Sequence, residues 1–158
     1  SKPHRRPMPH QAHRRGSALR DLLERHEGRR AFPYPDTVGK LTIGVGRNLS
    51  DRGLSEDEID LLLANDIAIA GEACADIFGP GFAGMAPPRR QALISMAFNL
   101  GGPRLAAFRR MRAAIAAGDW DEAAAEALDS RWAAQTGRRA DEIAALLRKG
   151  CIETDETF

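Results

Sequence analysis

Glu27, Asp36 and Thr42 are the residues of this chain best equipped for chemistry. Glu27 falls at the end of a predicted helix, Asp36 on a turn nine residues later, and Thr42 six residues beyond that on a short predicted strand. Two carboxylates held on separate rigid elements are the minimum equipment for cleaving a glycosidic bond. One protonates the leaving oxygen and the other activates water or attacks the sugar. A separation of about 6.5–9.5 Å would leave room for water and invert the configuration, whereas about 5–5.5 Å would retain it. Taken singly, each residue has an ordinary explanation. A helix-end glutamate can simply salt-bridge, Asp36 after Pro35 can bond its own turn backbone, and Thr42 suits any strand. Helix stability does not account for Glu27, because a negative charge is unfavourable at a helix C-terminus.

The elements that must carry these residues are readable. Ser17 suits the N-cap of a helix running to about Glu27, with Leu19, Leu22, Leu23 and His26 on one face and Gly28 as its stop. Pro33, Pro35 and Gly39 exclude helix and predict a turn-rich hairpin. From Leu41 to Val45 the pattern alternates, setting Leu41, Ile43 and Val45 on one face and Thr42, Gly44 and Gly46 on the other. If the aliphatic face packs inward, Thr42 looks into a groove. Ser55 and Glu58 form a capping box that opens a helix of about twenty residues, about 30 Å long, to Ile77. A loop follows from Gly79 to Pro88. A nearly apolar helix, Gln91 to Leu100, then suits a buried centre, and amphipathic helices are predicted near 104–117, 120–129 and 139–149. The result is an α+β chain, predominantly α-helical. Residues 17–54 form a small α+β lobe, 55–78 a connecting helix and 79–150 a helical lobe, with a cleft between lobes suited to a polymer.

The 158 residues fit one such domain, and 28% charged against 43% hydrophobic residues indicates a soluble globular protein. No apolar run approaches the roughly 20 residues that span a membrane. No apolar stretch backs the basic N-terminus as a secretory signal requires. The net charge of +1 conceals six basic and no acidic residues in positions 1–20, leaving −5 on the rest. Residues 1–16 read as a solvated flexible arm, with electrostatic attraction to an anionic envelope as the functional alternative. Cys74 reads as a small core residue and Cys151 as exposed in the 151–158 tail. They form no CxxC pair, although a disulfide between them is open. Neither a metal nor an organic cofactor is called for, and His4, His10 and His13 are not assigned as ligands. Arg139 beside Arg138 reads from spacing alone as a solvated helix charge, and Phe98 and Trp132 as core aromatics.

Together, Glu27-Gly28, Asp36 and Thr42-Ile43-Gly44-Val45-Gly46 resemble the N-terminal active-site pattern of T-even-type phage lysozymes, glycoside hydrolase family 24. Arg89–Met96, Trp120–Ala124 and Ser130-Arg131-Trp132 with Gln135-Thr136 resemble the same family's C-terminal lobe. The resemblance covers about residues 17–149 and implies a lysozyme-like two-lobed fold. It implies hydrolysis of the β-1,4 bond between N-acetylmuramic acid and N-acetylglucosamine of peptidoglycan, with inversion. By that resemblance Glu27 is the general acid, and Asp36 and Thr42 position the attacking water. Arg139 pairs with the catalytic glutamate, while Asn48, Phe98 and Asn99 contact sugar. A monomer is implied, made in the cytoplasm and reaching the wall through a hole-forming, holin-type partner.

The chain departs from the family at Arg47, where a histidine often stands, so a steadying histidine–carboxylate pair is absent or replaced by an arginine pair. It departs again at Asn99, one methylene shorter than the family's glutamine. A catalytically silent glycan-binding module is the alternative, against which the intact Glu27, Asp36 and Thr42 argue. Nucleic-acid binding through the arm finds no reading motif and an acidic remainder.

Overall fold

A computed structural model describes residues 17–150. The expectations for the basic arm, for the tail and for Cys151 lie outside the described residues. The described chain forms two compact units, the first ending at Ile59 and the second beginning at Asp60. The architecture is α+β and predominantly helical, as the periodicities predict.

In the first unit, α1 (Ala18–Glu27) starts at the expected cap, where the Arg20 backbone N–H donates to Ser17 Oγ at 3.2 Å. It stops at Gly28, whose φ of 76° only glycine adopts freely. Strands β1 (Arg30–Pro35), β2 (Leu41–Gly44) and β3 (Arg47–Asn48) follow as an antiparallel sheet in that order. Tyr34 pairs with Thr42, but Arg30 pairs with Gly44, so β1 carries an irregularity between these points. Pro33, which has no N–H to give a ladder, falls inside it.

The face assignment along β2 is the reverse of the expectation. Thr42 is 4% exposed, whereas Leu41 and Val45 are 45% and 37% exposed. Burying a hydroxyl is tolerable only when it is bonded, and Thr42 Oγ1 donates to the Lys40 carbonyl at 2.9 Å. The apolar face expected for α1 is likewise exposed at Leu19, Leu22 and Leu23.

The capping box opens α2 (Glu56–Phe78) as predicted, with Ser55 N–H donating to Glu58 Oε1 at 2.9 Å and Glu58 N–H to Ser55 Oγ at 3.3 Å. The same Oε1 accepts from Arg47 at 2.6 Å, an arginine pair that ties β3 to the start of α2. Arg47 also donates to the Gly53 carbonyl at 3.3 Å. The hydrogen bond from Arg47, then those from Ser55, hold the Glu58 carboxyl down at about 2, against an ordinary 4.5. A depressed carboxyl stabilises the fold above its unfolded pKa, and that contribution drains away as pH falls through the folded value. Glu58→Gln is therefore expected to lower the melting temperature at pH 7. It should also flatten the loss of stability between about pH 4.5 and 2, as thermal melts across that range would read. An acid limb as steep as the wild type's would show that the pair contributes nothing.

The second unit holds every buried hydrophobic residue of the described chain, centred on Leu93, Met96, Leu105, Met111, Leu147 and Cys74. After a 3-10 turn at Gly79–Gly81, α3 (Pro87–Leu100) runs through the middle, burying Ala92, Leu93, Met96 and Ala97. The single helix expected near 104–117 is two, α4 (Gly102–Ala106) and α5 (Arg109–Ala116). The break at Phe108 has a tertiary cause, since its ring packs edge-on to Trp132 with centroids 6.4 Å apart. Then come α6 (Trp120–Leu128), a short α7 (Arg131–Thr136) that periodicity did not reveal, and α8 (Arg138–Lys149). Ser130 caps α7 by accepting from Ala133 N–H. The end of α8 is clamped by Arg89, which donates to the Leu147 and Arg148 carbonyls and lies over the Trp120 ring at 4.2 Å. Among the described residues no helix is long and apolar enough to cross a membrane.

Candidate active site

The first unit brings Glu27, Asp36, Thr42 and Asn48 onto neighbouring elements. Glu27 closes α1, and its carboxylate lies against the turn between β2 and β3. A Cβ built on Gly46 would sit 3.0 Å from Glu27 Oε2 and 3.1 Å from its Cδ. Gly46 also holds a φ of 71°. Two constraints thus demand glycine here: the backbone conformation and the approach of the acid. Gly44, with a φ of 68°, faces only open space. The Gly-x-Gly spacing was the signal for this contact, but it reads equally as an unobstructed strand face, so the role of Gly46 was not legible.

Gly46→Ala is expected to push the carboxylate aside. Misplacing a catalytic group by about 1 Å can cost about 10²-fold in rate. Gly44→Ala carries the same backbone strain without the clash. With Glu27 as the general acid that the resemblance implies, turbidity assays on cell walls are expected to show Gly46→Ala about 10²-fold slower than Gly44→Ala. Equal rates would mean that the contact does not place Glu27.

Asp36 is a turn residue and more. Its Oδ1 accepts from Val38 N–H at 2.9 Å and from Lys40 N–H at 2.8 Å, which fixes the carboxylate plane. Its Oδ2 accepts no hydrogen bond from the described residues. The Lys40 peptide joins Asp36 to Thr42, since its N–H donates to the acid and its carbonyl accepts from the threonine. With its proton committed, the Thr42 oxygen keeps lone pairs for an incoming O–H donor.

Asn48 pairs with Thr42 across β2 and β3. Its side chain closes the following turn, with Oδ1 accepting from Asp51 N–H at 2.9 Å and Nδ2 donating to Asp51 Oδ2 at 3.1 Å.

The second unit carries the remaining predicted residues. Phe98 is 45% exposed rather than core. It shares a depression of about 360 Å³ with Leu63, Ile67, Ile94, Ser95 and Arg139. Arg139 is not a solvated charge, for it donates to the Ser95 carbonyl and hydroxyl at 3.3 Å. Asn99 Oδ1 accepts from the Trp132 indole N–H at 2.8 Å, and Trp132 is a core residue, as its sequence reading held.

The sequence profile described as phage lysozyme matches residues 24–149. The chain belongs to the phage lysozyme family. It is accordingly a glycoside hydrolase, a lysozyme. The matched span includes Glu27, Asp36, Thr42 and Arg139. Among curated proteins it is 27% identical to the pre-baseplate central spike protein Gp5 of Enterobacteria phage T4, over 87% of this chain and 28% of that protein. It is 24% identical to the probable T4-type lysozymes 2 and 1 of Dictyostelium discoideum. Those matches cover 87% and 86% of this chain and 97% and 96% of the two lysozymes. The chain thus spans just over a quarter of the phage spike protein but nearly the whole of each Dictyostelium lysozyme.

Proposed function

We propose that this lysozyme is a bacteriolytic muramidase. It hydrolyses the β-1,4 bond from N-acetylmuramic acid to N-acetylglucosamine in peptidoglycan and inverts the anomeric configuration. The observation that supports this most directly is the state of Asp36: one oxygen is pinned by two backbone N–H groups and the other accepts no hydrogen bond from the described residues, while the Lys40 carbonyl holds the Thr42 hydroxyl proton. A carboxylate so held can take a proton from water without rotating, which is what a general base requires.

Glu27 donates its proton to the departing glycosidic oxygen. Water, oriented by Asp36 and Thr42, adds to C1 of the muramic acid as that bond breaks, and Asp36 takes its proton. Arg139 plays a supporting role, and Phe98 offers an aromatic face to sugar. Asn99 retains its amide N–H groups for the same purpose, its oxygen being occupied by Trp132. Asn48 reaches sugar in this reading only where its turn bonds to Asp51 leave capacity. The enzyme works as a monomer, needs no cofactor and reaches the wall through a hole-forming partner.

Digestion of purified peptidoglycan in heavy-oxygen water, followed by mass spectrometry and immediate NMR of the anomers, tests this reading. The expected product is a reducing muramic acid carrying one heavy oxygen at C1, released first as the α-anomer. A reducing N-acetylglucosamine, or an anhydro-muramic product without heavy oxygen, would overturn the bond assignment. A β-anomer appearing first would overturn inversion.

A further inference from the structure

A groove of the second unit lies apart from every residue assigned above. It encloses about 770 Å³ between the end of α2, the turn before α3, α5 and the start of α6. That volume is in the range of small-ligand and peptide-side-chain pockets. Its floor is apolar, including Ile77, Phe78, Met85 and Ile115, and its lining has three guanidiniums, Arg89, Arg109 and Arg112, and no acid. Two of these cations are already committed to backbone. Arg89 clamps the end of α8, and Arg112 donates to the Ala106 and Ile77 carbonyls at 2.9 and 3.4 Å. Arg109 is exposed and its side chain makes no hydrogen bond to the described residues. Among the described residues, none of the three is paired with a carboxylate.

The chain leaves α8 at the rim of this groove. Gly150, with a φ of 63°, lies so close to Arg89 that a Cβ on it would sit 2.9 Å from the guanidinium carbon. The next residues are Cys151, Ile152, Glu153, Thr154, Asp155, Glu156, Thr157 and Phe158. They contain three carboxylates, no cation and two large hydrophobic side chains. Eight residues reach up to about 27 Å when extended, ample to cross a groove that starts beside residue 150.

We infer that residues 151–158 of the same chain occupy the arginine-lined groove, with their carboxylates facing Arg109 and its neighbours and their apolar side chains on the floor. Charge sign, charge number and point of departure all select this segment. Opposite charges across a docking surface fix partner and register more than they add affinity. Like charges brought face to face are strongly unfavourable, so the occupant is expected to leave when the sign at Arg109 is reversed.

Amide hydrogen exchange on the full chain tests this. In the wild type the amides of residues 152–157 should exchange at least about 10-fold more slowly than an unstructured peptide. Arg109→Glu, and separately Arg109→Gln, should abolish that protection while the amides of α3 keep theirs, which controls for folding. A chain with Glu153→Lys, Asp155→Lys and Glu156→Lys should also lose it, and combining this triple change with Arg109→Glu should restore part of it. Unprotected tail amides in the wild type, or protection indifferent to Arg109, would overturn the inference. So would protection that appears only with concentration-dependent dimers in sedimentation, since the groove would then hold a second copy's segment.

Discussion

Glu27→Gln is expected to reduce peptidoglycan hydrolysis by about 10²–10⁴-fold, the usual worth of a positioned general acid. The substitution preserves shape and removes only the transferable proton. Glu27 ends a helix at a point where its negative charge opposes the dipole, so neutralising it should leave the fold intact or slightly firmer. The informative result is the combination of turbidity loss and an unchanged or raised melting temperature. Full lysis by the variant would remove Glu27 from the chemistry. A parallel loss of activity and stability would instead indicate that Glu27 is holding the β2–β3 turn through its contact at Gly46.

Leu93→Ala should produce the largest stability effect, about 2–5 kcal/mol by chemical denaturation. Leu93 is fully buried at the centre of the second unit, on the helix that presents Phe98 and Asn99 one to two turns later. Removing the isopropyl end of its side chain leaves a cavity in the close-packed core that also holds Met96 and Leu147. Leu93→Met, which conserves volume, should cost less than about 1.5 kcal/mol. If the alanine variant cost under about 1 kcal/mol, the packing around α3 would be far looser than its burial indicates.

Local rules carried most of the fold. Ser17, Gly28 and the Ser55–Glu58 box mark helix ends because caps are chemistry among residues three or four apart, visible in one dimension. The β2 alternation was equally visible, but period alone cannot say which face turns inward. In the fold Thr42 turns inward with its hydroxyl satisfied by the Lys40 carbonyl, while Leu41 and Val45 stay exposed. The split between α4 and α5 leaves no glycine or proline signal, because its cause is the Phe108–Trp132 contact across 24 residues of sequence. At Arg47 the sequence offers an arginine pair in place of the family's histidine pair, without naming the carboxylate that joins it. From sequence Glu58 reads only as a cap, and in the fold one of its oxygens serves both the cap and the arginine. Within the site, residue types and order were legible, whereas the narrow gap at Gly46 depended on how closely two elements approach.

The cysteine at position 74 turns the second unit into its own gauge of breathing. Its thiol has no exposed surface, and burial pushes its pKa up to about 11, so in the closed state a thiol reagent finds neither access nor thiolate. The pace at which Cys74 is alkylated under native conditions therefore counts openings of α2 from its neighbours, in enzyme that is still at work and without any added label.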